Sequence, residues 1–409
     1  MTDRRLLRNA RAPGWEAPRD ILIADGKIAE VGAALDAPDA SAIDLGGRAV
    51  LPGLVEAHTH LDKALTLDLC PNEEGTLAGA IREMAKLKKK SSPDEIFRRA
   101  EACLLKFLAH GSTVVRTHVD VDPTIELRGM EALVRLRDRY REKVNLQLVA
   151  FSSGASASVD PAAQRARLRE AASMGADAVG GVPALADDAE AHLRTVFDVA
   201  LEFGLPVDLH VDESDDPADL TLERVAEKTV AEGYEGRVIA GHCCSLAAVD
   251  DETARRVIRK AARAKIAVIA MPLCNLYLQG RRDPSPIRRG ITRVKELLEA
   301  GVNVFCASDN VQDAFGPYGR GDTLEAAWLT GLTCQFDPGL ISTLLEMVTE
   351  RPARALGLDG RHGIRIGCPA DLVVMAAESA ENLVVERPAR LMVLKAGRVV
   401  STGPGAEGL

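Results

Sequence analysis

The sequence predicts an α/β protein: a (β/α)8 TIM-type barrel with a small β-sandwich domain built from both chain termini. Three observations predict it. The middle of the 409-residue chain alternates short apolar runs with helical patterns, as parallel strands joined by helices do. Eight such runs can be counted, and eight β/α units close into a barrel more readily than they make an open sheet. Both ends of the chain instead carry short strands around tight turns. Neither end has enough apolar surface for a stable sheet alone, so the two are expected to meet. The expected division is residues 1–48 with 360–409 for the β domain and 49–359 for the barrel.

Taken in order, Asp20 to Gly32 reads as a hairpin turning at Asp25-Gly26, a dipeptide suited to the tight turn between paired strands. The barrel opens with Gly53 to Ala57, followed by Thr113 to Asp120, Asn145 to Phe151, Ala178 to Pro183, Pro206 to Glu213, Arg237 to His242, Ile266 to Pro272 and Val302 to Asp309. Helices are expected over Pro93 to Ala109, Ala162 to Met174, Ala189 to Phe203, Thr253 to Ala264 and Val294 to Ala300. Gly111, Gly175, Gly204 and Gly301 follow four of them, where a left-handed residue ends a helix. Near the C-terminus, Asp371 to Met375 and Arg390 to Val400 are strands, the latter folded at Ala396-Gly397.

Composition narrows the function. A hydrophobic fraction of 46% with 27% charged residues implies an ordinary packed core. The net charge of −9 argues against nucleic acid or an anionic membrane as partner, since phosphate binding needs an excess of Lys and Arg. The run Lys86 to Lys90 reads as a solvated helix end. No window has the pattern of a signal peptide or the apolar length of a membrane span, so a cytoplasmic protein is expected. The eight cysteines show no CxxC spacing and read as reduced and mostly buried. Cys243, Cys274 and Cys306 fall near strand ends, where a thiol could line a pocket.

The chemistry-bearing residues collect at strand ends. His58 and His60 end the first strand, and residues two apart in a strand face the same side. Neutral imidazole is a common ligand for divalent transition metals. His118 and Asp120 end the second strand, His210 and Glu213 the fifth, His242 the sixth and Asp309 the eighth. In such barrels the C-terminal strand ends form the active site. His58, His60, His210 and Asp309 are therefore the expected ligands of one divalent metal ion per chain, with a position left for a water whose pKa the metal lowers. That supplies a hydroxide nucleophile. Glu213 is placed to carry a proton between this water and the substrate. His242 and Asp309 can orient the attacking oxygen and stabilise its charge. The fourth strand has no Lys to bridge two metals, which favours a single ion.

These residues resemble the amidohydrolase superfamily over nearly the whole chain. Within it, Val115-Arg-Thr-His-Val-Asp-Val121, His210-Val-Asp-Glu213, Leu276-Tyr-Leu-Gln-Gly-Arg281 and Arg289-Gly-Ile-Thr-Arg-Val-Lys-Glu296 are similar to segments of the cytosine deaminase branch. The resemblance implies a zinc or iron(II) hydrolase that removes an exocyclic amine from a nitrogen heterocycle, with Glu213 protonating a ring nitrogen. Some positions depart from the branch. Ser152-Ser153-Gly154 stands where cytosine deaminases carry a pyrimidine-binding Gln, Asn310 replaces the second Asp of an Asp-Asp pair, and Phe315 replaces a Trp. Lys63 and Asn310 look more like relatives acting on aminated s-triazines, such as N-isopropylammelide isopropylaminohydrolase. The short side chain at Ser153 would also admit a pterin.

Lys63, Leu77, Ser153, Asn310 and Phe315 are thus the candidate substrate contacts, Lys63 and Asn310 being equally suited to bracing the site. His118 and Asp120 read as supporting residues, Gln279 as structural, and His110 and His192 as packing residues on helices. The expected reaction is hydrolytic deamination of a cytosine-like or related ring. The alternatives are N-alkylamine hydrolysis on an s-triazine, pterin deamination, a cyclic amidase or a non-catalytic ligand-binding barrel. A small-molecule substrate and a homo-oligomer complete the expectation, since soluble barrels often assemble symmetrically.

Overall fold

The computed structural model describes residues 4–153 and 160–408. Gly154 lies outside the described residues. Near the N-terminus, β1 (Arg4–Ala10), β2 (Arg19–Ala24), β3 (Lys27–Gly32) and β4 (Ser41–Asp44) form one sheet in the order β3-β2-β1-β4. Asp25 and Gly26 turn the β2–β3 hairpin with φ of 51° and 75°. A second sheet, β16-β15-β14-β5, joins β5 (Val50–Pro52) to three strands from the other end of the chain. These are β14 (Leu372–Met375), β15 (Arg390–Lys395) and β16 (Arg398–Thr402). The two sheets share one apolar core, in which Leu7, Ile21, Ile23 and Ile28 pack with Val50, Leu372, Val374 and Leu394. The small sandwich is built from both termini, as expected.

The barrel strands are β6 (Leu54–Thr59), β7 (Ser112–Asp120), β8 (Asn145–Ser152), β9 (Ala178–Gly181), β10 (Val207–Val211), β11 (Val238–His242), β12 (Ala267–Ala270) and β13 (Val304–Cys306). They pair in parallel and in sequence order. All but the partly buried Asn145 and Gln147 of β8 are buried, as expected of strands covered by helices on one face and barrel interior on the other. The ends of this sheet meet at an isolated parallel bridge between Thr59 and Asp309. Gly53 lets the chain pass from β5 into β6, because a Cβ there would lie 2.0 Å from Thr113 Oγ1.

The helices start and stop where local chemistry dictates. In Pro93–Ala109 the Ser92 hydroxyl accepts from the Glu95 amide, Pro93 opens the first turn, and Asp94 and Glu95 meet the positive end of the helix. Gly111, Gly175, Gly204 and Gly301 all have positive φ. Among the described residues no helix is long and apolar enough to cross a membrane. All eight cysteines are free, and all but Cys334 are buried.

Candidate active site

Four side chains from three separate barrel positions converge. His58 and His60 come from the end of β6, His210 from β10, and Asp309 from the segment beyond β13, all buried. Their ligand atoms all lie within 4.8 Å of one another. His60 Nε2 is 3.1 Å from His210 Nε2, and Asp309 Oδ1 is 3.4 Å from His60 Nε2 and 3.6 Å from His58 Nε2. A divalent ion bound tetrahedrally at zinc-like distances keeps its ligand atoms about 3.4 Å apart. The set therefore fits one ion. His58 Nε2 and both Asp309 oxygens are buried without a hydrogen-bond partner, the condition of groups built to meet something else. Burial, reinforced by neighbouring imidazoles and, for His58 and His60, by Lys63, holds His58, His60 and His210 well below the usual histidine pKa. They are thereby kept in the neutral form that ligates.

Backbone strain helps to aim these groups. Asp212 (φ 53°), His242 (φ 64°) and Asp309 (φ 62°) all sit in the left-handed region at or just beyond strand ends. Such conformations cost of order 1–3 kcal/mol each and persist where the surroundings enforce them. Behind the ligands, the His118 ring lies 4.0 Å from that of His58. His118 Nε2 is 3.3 Å from Asp208 Oδ1, and Asp208 Oδ2 accepts from Arg116 at 2.9 Å. His118 thus packs behind His58 and contacts Asp208.

Glu213 and His242 face the same space, with Glu213 Oε2 3.6 Å from His242 Nε2. Burial, then the nearby Asp309, raises the Glu213 carboxyl well above the usual range, so it can hold a proton that an exposed Glu would have lost. Burial holds the His242 imidazole down at about 3. The ring is neutral. With the Asn275 amide nitrogen 3.0 Å from Nδ1, its one proton sits on Nε2, towards Glu213. Gln279 donates to the Glu213 carbonyl at 3.2 Å. Of the three strand-end thiols, Cys274 reaches this chemistry, 3.8 Å from Glu213 Oε1. Cys243 and Cys306 face backbone carbonyls.

Opposite these groups the cleft is lined by every candidate contact: Lys63, Leu77, Ser153, Asn310 and Phe315. Lys63 Nζ lies 5.7 Å from the centre of the Phe151 ring and 5.6 Å from that of Phe315. It donates to Asp120 Oδ1 at 2.8 Å. Asn310 donates to Asp313 at 2.6 Å, and Ser153 donates to Asp122 at 2.9 Å. One expectation is corrected here. Lys88, in the run read as a solvated helix end, is buried and pairs with both Asp120 and Asp122. The helix Leu77–Lys88 turns its face of Leu77, Ile81, Met84, Ala85 and Lys88 to the cleft. The spacing of those positions, i, i+4, i+7, i+8 and i+11, was the available signal. Phe151, Asn275, Asp122, Lys88 and the helix face of Ile81, Met84 and Ala85 are among the site residues that sequence reasoning missed.

Residues 41–178 and 74–401 match the amidohydrolase family. A pterin deaminase of Rhizobium rhizogenes is 34% identical over 387 residues, 93% of this chain and 87% of that protein. An N-isopropylammelide isopropyl amidohydrolase of Pseudomonas sp. is 30% identical, covering 97% of this chain and 96% of its own. Among solved structures, a 5-methylcytosine deaminase from Klebsiella pneumoniae liganded with 5-fluorocytosine superposes with a TM-score of 0.91 at 32% identity, over 97% of each chain.

Proposed function

The chain belongs to the amidohydrolase family, and on that premise we propose its reaction: it is a metal-dependent hydrolase of C–N bonds that removes an exocyclic amine from a nitrogen heterocycle. One divalent ion, zinc or iron(II), would be held by His58, His60, His210 and Asp309. When bound, it lowers the pKa of a coordinated water toward neutrality and so supplies the nucleophile.

The chain's own residues do the rest. Glu213 takes a proton from the attacking water and delivers it to a ring nitrogen, which opens the carbon bearing the amine to attack. His242 donates its Nε2 proton in a hydrogen bond to the attacking oxygen. The second proton passes through Asp309 to the departing amine, so that water and the amino-substituted ring become ammonia, or an alkylamine, and a ring carbonyl. Lys63 supports the choice of substrate. Burial works against its charge, but Asp120 and Asp62 overcome this and raise its pKa above the usual lysine value. A fixed ammonium between two aromatic rings favours a planar ring that presents a carbonyl oxygen. Pyrimidines, s-triazines and pterins with an oxo group meet that description.

The observation that carries this reading is the convergence of four metal-competent ligands with the buried Glu213 carboxyl in one cleft. Its test is amine release from a panel of pyrimidines, triazines and pterins, by enzyme loaded separately with zinc, iron(II) and manganese. Glu213→Gln should keep its metal and lose at least 100-fold in rate, at the lower end of what acid–base catalysis contributes. An unchanged rate in that variant would remove Glu213 from the mechanism. Activity that requires two metal ions per chain would favour the cyclic-amidase alternative.

A further inference from the structure

We infer that Cys274, Glu213 and Asp309 form a second, inhibitory cation site, which takes a thiophilic divalent ion such as zinc or cadmium once the four-ligand centre is filled. The inference presupposes that centre and goes beyond it. Cys274 lies on the short helix Pro272–Leu278 that follows β12. Its sulfur faces oxygen atoms: Glu213 Oε1 at 3.8 Å, Asn310 Oδ1 at 4.0 Å and the Phe315 carbonyl at 3.7 Å. A thiol has one proton to give and three acceptors to satisfy. A shell of oxygen atoms around a sulfur is a surrounding that suits a cation.

The ligand atoms of Cys274, Glu213 and Asp309 lie within 4.8 Å of one another. Asp309 supplies the independent sign. Its Oδ1 faces His58 and His60, and both oxygens are buried without a hydrogen-bond partner. That leaves Oδ2 able to bridge to a second ion, as carboxylates do in two-metal sites. The remaining cluster of this kind among the described residues, His58 with His118 and Asp208, is already served by the Arg116 guanidinium.

Softness selects the occupant. A thiolate with two carboxylates suits zinc or cadmium and offers little to magnesium. Binding displaces the Cys274 proton to solvent, because the thiolate is the ligand. The site inhibits because its carboxylate is that of Glu213: an ion seated there removes the group that moves the substrate's proton.

The test starts from enzyme holding one equivalent of zinc, in a Cys334→Ser background that removes the half-buried thiol. Cadmium is titrated in while three quantities are read: metal bound at dialysis equilibrium, the near-ultraviolet thiolate-to-cadmium charge-transfer band, and amine release. We expect a second equivalent to bind with zinc retained, the band to appear with it, and activity to fall at least tenfold. Magnesium should do none of these. Cys274→Ser should lose the band and need at least tenfold more cadmium for the same inhibition, with Cys274→Val as a second variant if serine misfolds. A chain that holds no first equivalent overturns this inference together with the metal-dependent reading. A chain that holds the first and gives no sulfur band overturns this inference alone, as does unchanged inhibition in the Cys274 variants.

Discussion

Asp120 is held by two cations at once, Lys63 on Oδ1 and Lys88 on Oδ2, and this makes it the residue on which the substrate wall depends. Burial alone would raise its carboxyl, but Lys63 and Lys88 bring it down to about 2. Asp122 shares Lys88 and accepts from Ser153, and the buried Asp62 adds a third carboxyl that acts on Lys63. Removing one member of a buried pair leaves an uncompensated charge and costs about 3–5 kcal/mol. Asp120→Asn takes away the ion-pair partner of Lys63 and leaves it only the attraction of Asp62, whereas Lys88 keeps Asp122. Urea unfolding of the metal-loaded protein should therefore show a loss of about 3–5 kcal/mol for Asp120→Asn. A loss of less than about 1 kcal/mol would mean that the ammonium reaches water and is not fixed in the cleft.

At the scale of elements, the helix Leu77–Lys88 decides what fits in front of the metal ligands. Thr76 caps it by accepting from the Gly79 amide, and its inner face brings Ile81, Met84 and Ala85 to the cleft. Ala85→Leu adds volume there without touching the ion or Glu213. It should lower kcat/KM for a two-ring substrate at least tenfold more than for a single ring. An equal effect on both would show that this helix does not bound the ring pocket. The same helix marks where the sequence was legible and where it was not. Strands and helices with strong periods, caps and C-terminal glycines could be read to within a few residues. The His-x-His pair, His210, Glu213, His242 and Asp309 could be read because each stands at or just beyond a strand end, where a barrel gathers its chemistry. Lys88 could not be read that way, because its run of lysines looks solvated in one dimension. Its burial depends on Asp120 and Asp122, which come from the end of β7 and just beyond it. Asn275 and Phe151 were hidden likewise, since an amide or an aromatic ring acquires a role only from the imidazole beside it.

At the scale of the whole molecule, the four proposed metal ligands straddle the place where the barrel closes. Seven of the strand junctions are continuous ladders or paired residues, whereas β6 and β13 meet only through the Thr59–Asp309 bridge. The seam is sewn by side chains. Glu56 accepts from the Ser308 amide at 3.0 Å and the Ser308 hydroxyl at 2.7 Å, and from Thr323 at 3.0 Å. The Thr59 hydroxyl donates to the Asp309 carbonyl at 2.7 Å, and the Asp309 amide to the His58 carbonyl at 2.9 Å. An ion shared by His58, His60 and Asp309 would cross this seam, and His210 would tie it to β10 on the far side. Free ion at 100 times its dissociation constant stabilises the folded state by about 2.7 kcal/mol, and that stabilisation should be concentrated where the ligands cross. Stripping the metal with a chelator should therefore lower the melting temperature. It should also speed hydrogen exchange at least tenfold in peptides covering 54–60 and 304–310, while 112–120, paired on both sides within the sheet, changes little. Restoring the ion should reverse both effects. If protection fell equally in all three peptides, the ion would be stabilising the fold as a whole, and the closure would belong to Glu56 and the Thr59–Asp309 bridge alone.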